Sequence, residues 1–281
     1  MTLAPIKRAL KAQIRSAALA FGRTHLGRVV FEQVIDSSMS RTAKVTHAGT
    51  ELLFTVPNAL NHFRMSSFAT KEPETLAWID RIPRGSVVWD VGANVGLYSC
   101  YAAKARGCRV VSFEPSVFNL ELLARNIFLN GLSDQITIVP LPLFEQVTQS
   151  SLNMSSTQWG GALSTFGAAH GFDGAVLQKV FEFRTVGLSM DDCLTRLGLP
   201  APDFMKMDVD GIEHIILRGG RQVLGHLRGV SVEINDAFTE QAEESRRALE
   251  EAGLRFVSKA HSALIEAQPS FKDTYNQEWV R

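Results

Sequence analysis

A chain of 281 residues, 45% apolar and 21% charged, is long enough to bury a large core. That excludes a disordered chain, a collagen-like repeat and a disulfide-stapled miniprotein. Lys+Arg and Asp+Glu are both 29, so a nucleic-acid binder working through a global positive field is not expected, and no 18-residue apolar run marks a membrane span. Cys100, Cys108 and Cys193 form no Cys-x-x-Cys pair and read as reduced structural thiols, which suits a cytoplasmic protein.

The charge is unevenly placed. Residues 1–31 carry six bases (Lys7, Arg8, Lys11, Arg15, Arg23, Arg28) and no acid, which leaves 23 bases against 29 acids in the remainder. Leu3, Ile6, Leu10, Ile14, Ala17 and Phe21 recur at spacings of three and four, one face of a helix that a hinge near Phe21–Gly27 ends. Three roles fit such a helix: docking on the chain's own core or on a sister subunit in a homodimer, peripheral contact of residues 1–22 with an anionic membrane, or a cleavable targeting peptide.

Residues 29–60 mix short β-like runs (Val29–Val34, Leu52–Val56) with turn formers, and residues 1–70 read as an N-terminal elaboration. A helix is expected over Lys71–Asp80, with Thr70 as cap and Pro73 in the first turn; Pro83-Arg84-Gly85 then turns the chain. From there the rhythm is strand and helix in alternation. Ser86–Val91, Arg109–Phe113 and Gln135–Val139 read as buried strands, separated by helices ending near Arg106 and Asn130. The pattern resumes with strand Phe204–Asp208, a helix to Leu224, strand Val230–Ile234 and a helix over Thr239–Ala252. Arg255–Ser258 and Tyr275–Val280 supply last strands. This predicts an α/β fold with a doubly wound, mostly parallel sheet over residues 71–281. The irregular stretch 149–174, rich in glycine and serine, reads as a lid or acceptor-binding loop, with a surface insertion as the other reading.

The segment Asp90-Val91-Gly92-Ala93-Asn94-Val95-Gly96 carries a strand into a glycine turn and then a helix, which offers free N–H groups to a ligand. Glu114 ends the next strand, eighteen residues after Gly96, where an acid can accept both hydroxyls of a ribose. The turn lacks Gly-x-Gly-x-x-Gly, and Asp90 beside it would repel a diphosphate. A phosphate-free nucleoside with a cationic amino group fits better, and S-adenosylmethionine has that profile. An NAD-dependent oxidoreductase and a non-catalytic module that binds S-adenosylmethionine are the rival readings.

Two separated blocks then resemble the FkbM family of methyltransferases over about residues 70–281. The first is Asp90–Gly96, Phe113-Glu114-Pro115, Asn119, Leu123, Asn126 and Asn130. The second is Ser189-Met190-Asp191-Asp192, Met205–Glu213, Leu217–Gly220 and Val232-Glu233. The resemblance implies a Rossmann-like class I methyltransferase fold and O-methylation of a hydroxyl, on a sugar of a glycan or lipid or on a natural product. It implies that Asp90, Gly92, Asn94 and Gly96 line the methionine end of S-adenosylmethionine and that Glu114 holds the ribose. Ala93, Pro115, Asn119, Leu143 and Asp208 complete the expected cofactor contacts. The family usually has Glu where this chain has Asp210, and often Ala-Leu where it has Pro142-Leu143.

Lys206 and Asp208 share one strand face, and a lysine inside a parallel sheet is costly unless paired, with Asp208 and Glu233 the natural partners. Asp208, Lys206 and His214 are therefore the candidate catalytic groups, against a purely structural ion-pair network. His62 is a weaker candidate base. Asp208, Asp210 and Glu213 resemble the start of a calcium loop, but the later ligands do not follow, so no metal is expected and Glu213 is assigned to the start of its helix.

Overall fold

The computed structural model describes residues 3–281, with side chains from Ala9 onward. Leu3, Ile6, Lys7 and Arg8, part of the expected N-terminal amphipathic pattern, therefore lie outside the described side chains. The chain opens with two helices, α1 (Leu3–Gly22) and α2 (His25–Met39), and a hairpin of β1 (Thr42–His47) and β2 (Thr50–Thr55). Helices α3 (Ala59–Ser66), α4 (Phe68–Lys71) and α5 (Pro73–Arg81) lead to β3 (Val87–Val91). Then come α6 (Leu97–Arg106), β4 (Arg109–Phe113), α7 (Val117–Leu129) and β5 (Ile136–Val139). A small sheet follows, from β6 (Thr148–Met154), β7 (Ser164–Phe166) and β8 (Phe181–Gly187). The chain ends with α8 (Met190–Thr195), β9 (Phe204–Met207), α9 (Glu213–Arg218), α10 (Arg221–His226), β10 (Gly229–Asn235), α11 (Thr239–Glu251), β11 (Arg255–Ala260), α12 (Ala263–Glu266) and β12 (Thr274–Val280).

The central sheet has the order β11-β12-β10-β9-β3-β4-β5, and only β12 runs against the others. Apolar runs such as Val110-Val111 fit strands covered on both faces. One core cluster packs Trp89, Phe113, Met205 and Val232 against α8–α11 and the small sheet; the other packs Val88, Val110 and Ile136 against α5 and α6. The second cluster also contains Leu52, Phe54, Met65 and Phe68, so the β1–β2 hairpin and α3–α4 share a core with the sheet. Strand order reverses between β3 and β9, which opens a crevice at their carboxyl ends.

Several local expectations are corrected. Val29–Val34 is helical, not β-like. Thr24 caps α2 by accepting from Gly27 N at 2.9 Å, and Leu26, Val30 and Val34 recur at helical spacing. Thr70 does not cap the helix over 71–80; α5 starts at Pro73, whose missing N–H costs nothing at that position. The helix expected to run to Leu224 is two, α9 and α10, broken at Gly219-Gly220. There a side chain would strike the backbone of Phe144 and Glu145 or the side chain of Met190. Residues 149–174 are not irregular throughout: β6 pairs with β7 and β8, and the connection 155–163 reaches over the crevice. Among the described side chains of α1, Leu10, Ile14, Leu19 and Phe21 are all exposed, so this part of the apolar face does not dock on the chain's own core. Among the described residues no helix is long and apolar enough to cross a membrane.

The three cysteines are buried and free, and burial pushes their thiols up to about 12, 11 and 12 for Cys100, Cys108 and Cys193, far from the reactive thiolate range.

Asn126 on α7 and Asn130, which caps the end of that helix, join the hairpin to the sheet layer. The Asn126 amide accepts from Thr55 N at 2.8 Å and donates to Val95 O at 2.8 Å, while Asn130 accepts from Leu53 N and donates to Leu53 O. Asn126→Ala leaves two buried backbone groups without partners. It is expected to cost about 1–3 kcal/mol, read as a lowered urea midpoint at unchanged m-value.

Candidate active site

The crevice widens into a cavity of about 340 Å³, walled by the turns after β3, β4 and β9, by the 155–163 connection, by α3 and α4, and by the segment around α12. Its floor is set by a close backbone approach. Gly92 has φ +86°, and a Cβ there would lie 1.8 Å from the Asp208 carbonyl oxygen. Its bareness thus serves the junction of β3 and β9 in the first place. Gly96, φ +82°, opens α6, and a Cβ would strike Leu123 at 2.4 Å.

Glu114 lines the cavity at the end of β4. Its carboxylate accepts from Asn94 N at 2.7 Å and from Ser116 N at 2.8 Å. Burial raises this carboxyl, against the pull of those two N–H groups, up to about 7. The two N–H groups fix its plane and leave lone pairs on both oxygens for a ligand. Asn94, at φ +51°, and Asn119 both donate to Gly161 O, at 2.8 and 3.0 Å, and Asn119 accepts from Gly160 N. Their amides therefore hold the covering connection down. From the other side Asn58 and Asn61 donate to Trp159 O, and Arg64 donates to Gly160 O through Nε and Nη2.

Lys206 is 3% exposed, and its ammonium donates to Asp208 Oδ2 at 3.1 Å and sits 5.2 Å from the centre of the Tyr98 ring. Burial would lower this lysine. Asp208, Asp90 and Glu72 outweigh burial and raise it. Glu72, buried, ion-pairs with Lys71 at 2.5 Å; burial would raise it, but Lys71 and Lys206 hold it down at about 2. Glu233 lines the same wall, and burial with the like charges of Asp208 and Glu72 pushes it well above the usual carboxylate range.

Gly92, Ala93, Asn94, Glu114, Pro115, Asn119, Leu143, Lys206 and Asp208 thus meet around one cavity, together with Asp210. Three other expected residues do not line it. Asp90 is 2% exposed, paired in register with Lys206 and hydrogen-bonded by Ser99 Oγ, so it secures α6 to β3. Gly96 lies behind the turn. His214 is buried against Phe238 and His170, and burial lowers it, so it does not face the cavity as a base. His62 is exposed and also outside the lining.

Asp210 and Glu213 are committed to backbone. Asp210 accepts from Leu163 N and Ser164 N, and Glu213 accepts from Val209 N, Gly211 N and Gln241. Among the described residues these acids form no metal-ligating group with Asp208. Sequence reasoning missed Arg64, Lys71, Glu72, Tyr98 and the α12 segment as cavity walls. No periodicity marks them, because distant loops bring them together.

A doubly wound sheet with this strand order, and a nucleoside-sized cavity at its switch point, defines the Rossmann-like methyltransferase class. The family model "Methyltransferase FkbM domain" matches residues 90–256, and the chain belongs to that family. The hexuronic acid methyltransferase AglP of Haloferax volcanii is 25% identical over 182 residues, covering 65% of this chain and 70% of that protein. Methyltransferase sdnD of Sordaria araneosa is 28% identical over 162 residues, covering 50% of this chain and 62% of its own length. A solved structure of methyltransferase FkbM from Methylobacillus flagellatus superposes with TM-score 0.50 at 14% identity, covering 91% of this chain and 60% of that one.

The buried acids link stability to pH. Glu114 and Glu213 stand at about 7 and Asp210 at about 6, above ordinary values of 4.5 and 3.8. A raised folded-state value means the contribution is fully present below the ordinary value and lost as pH rises through the folded one. Stability is therefore expected to fall between about pH 4.5 and pH 7, by at most about 3 kcal/mol for each glutamate, read as a lowered melting temperature. Glu213→Gln should flatten that slope. Glu72, held low, acts in the opposite sense only below its ordinary 4.5.

Proposed function

We propose that the protein transfers a methyl group from S-adenosylmethionine to a hydroxyl oxygen of a sugar or sugar-acid unit, free or within a glycan. The observation that carries this reading is the Glu114 carboxylate, fixed by Asn94 N and Ser116 N at the end of β4 and facing the cavity. The residues present fit that cofactor. Glu114 accepts the ribose hydroxyls, Leu143 and Pro115 offer an apolar wall for a base, and the Gly92-Ala93-Asn94 turn is the wall for the amino-acid end. The surrounding acids suit a cation and repel a diphosphate, which weighs against a dinucleotide.

When bound, S-adenosylmethionine supplies an electrophilic methyl group on a positively charged sulfur. Asp208 would then orient the acceptor hydroxyl and take up its proton as that oxygen receives the methyl group. Lys206 positions Asp208. The covering connection 155–163, clamped by Asn94, Asn119, Asn61 and Arg64, excludes water from this step. Arg64 makes no direct ion pair among the described residues, although Glu72, Asp208 and Asp210 act on it from nearby, so its remaining N–H groups are open to an acidic substituent such as a uronic acid. The hexuronic acid named for the Haloferax relative supports an acceptor of that class.

Calorimetric titration of S-adenosylhomocysteine and, separately, NADH tests the cofactor. The former is expected to bind, to weaken more than tenfold (about 1.4 kcal/mol) in Glu114→Ala, and to weaken as pH falls below 7, where Glu114 protonates. Tighter binding of NADH, or no binding of S-adenosylhomocysteine, would refute the reading. Methyl transfer from labelled S-adenosylmethionine to uronic-acid and neutral-sugar acceptors separates an enzyme from a binding module. Asp208→Asn is expected to lower kcat about 100-fold while leaving S-adenosylhomocysteine affinity within about twofold. An unchanged kcat would remove Asp208 from the proton-transfer role.

A further inference from the structure

We infer that α1 and α2 form a docking element for an anionic lipid surface. Among the described residues, most side chains of the two helices are exposed up to the far end of α2. Every described side chain of α1 is exposed except Ala18, which is partly covered. Of the 21 exposed large apolar side chains among the described residues, nine fall within residues 10–35, so exposed apolar surface is concentrated on this element.

The pattern is amphipathic on both helices. Leu10, Ile14 and Phe21 share a face of α1, with Lys11 and Arg15 one residue on from the first two. Leu26, Val29, Val30 and Val34 share a face of α2, all exposed. Phe21 meets Phe31 edge to face at 5.8 Å, so the helices are joined to each other. The far end of α2 is tied to the body: Met39 packs with Val95, Leu122 and Trp159, and Ser38 Oγ donates to Pro57 O. Val95 and Trp159 flank the turn and the connection that wall the cavity, so the element leads directly to the site.

Charge decides the occupant. The first 31 residues hold six bases and no acid, while the rest of the chain carries a net charge of −6. An acid appears on these helices only at Glu32 and Asp36, in the half of α2 nearer the body. An apolar face rimmed by lysine and arginine matches a surface that is apolar below and negative above. A second copy would bring like-charged helices together. The acidic body is repelled by the same lipid, which confines contact to α1 and α2.

Co-sedimentation of the full chain with vesicles tests this. Binding is expected to phosphatidylcholine vesicles containing phosphatidylglycerol, to weaken as salt is raised, and to be far lower on phosphatidylcholine alone. Leu10→Asp with Ile14→Asp is expected to reduce it more than tenfold, with the melting temperature and S-adenosylhomocysteine titration unchanged. A charge variant, Lys11→Glu with Arg15→Glu, should do the same. Absence of binding to the anionic vesicles, or equal binding to both kinds, overturns the inference. So does a dimer by light scattering that Leu10→Asp with Ile14→Asp dissociates while vesicle binding persists unchanged.

Discussion

A lysine ammonium in the middle of a parallel sheet has to be neutralised, and Lys206 organises the carboxyl edge of this fold by that need. It lies on β9 between β3 and β10, with Asp90 opposite it in register and Asp208 two residues on. Glu72 adds its charge from the start of α5 and is itself paired with Lys71. The buried cation is tolerable because these acids surround it, and it in turn offsets part of their own burial. The same cluster sets the electrostatics of this cavity wall, where Asp208 and Glu72 stand beside Lys206 and Lys71.

The cavity is made by long-range closure over that edge. Two asparagines from the nucleotide-type half, Asn94 and Asn119, and three side chains from the N-terminal half, Asn58, Asn61 and Arg64, hold the backbone of residues 159–161. Gly160 takes φ +81°, and a Cβ there would strike Asn61 at 2.6 Å, so the connection follows its path only with glycine at that point. The covering segment is therefore built from side-chain amides meeting backbone carbonyls. The core that supports them is continuous from the β1–β2 hairpin through the sheet, and it backs the wall that α3 and α4 give the site.

Much of the fold was legible because its signals are local. Arg109–Phe113 is an apolar run of strand length, and the β4 boundaries match it to the residue. The glycine turn at 92–96 and Glu114 at the next strand's end were readable from spacing. Val29–Val34 misled because β-branched residues suit strands in general, whereas the Thr24 cap and the three- and four-residue recurrence favour a helix. Residues 149–174 misled because their glycines and serines signal loops, while strand β6 is stabilised by partners up to 39 residues away, such as Gly187 opposite Thr148.

The sequence by itself determined the alternation of strand and helix, the nucleotide-type turn, the acid that follows it and the segregation of positive charge at the N-terminus. These depend on residue type at short spacing, which local physics reads directly. Only the tertiary structure decided that Gly92 is bare for the Asp208 carbonyl, and that Asp90 and His214 turn away from the cavity. It also decided that Arg64, Glu72 and the α12 segment become its walls. Those outcomes depend on which distant backbones approach within van der Waals contact, and no spacing along a chain encodes that.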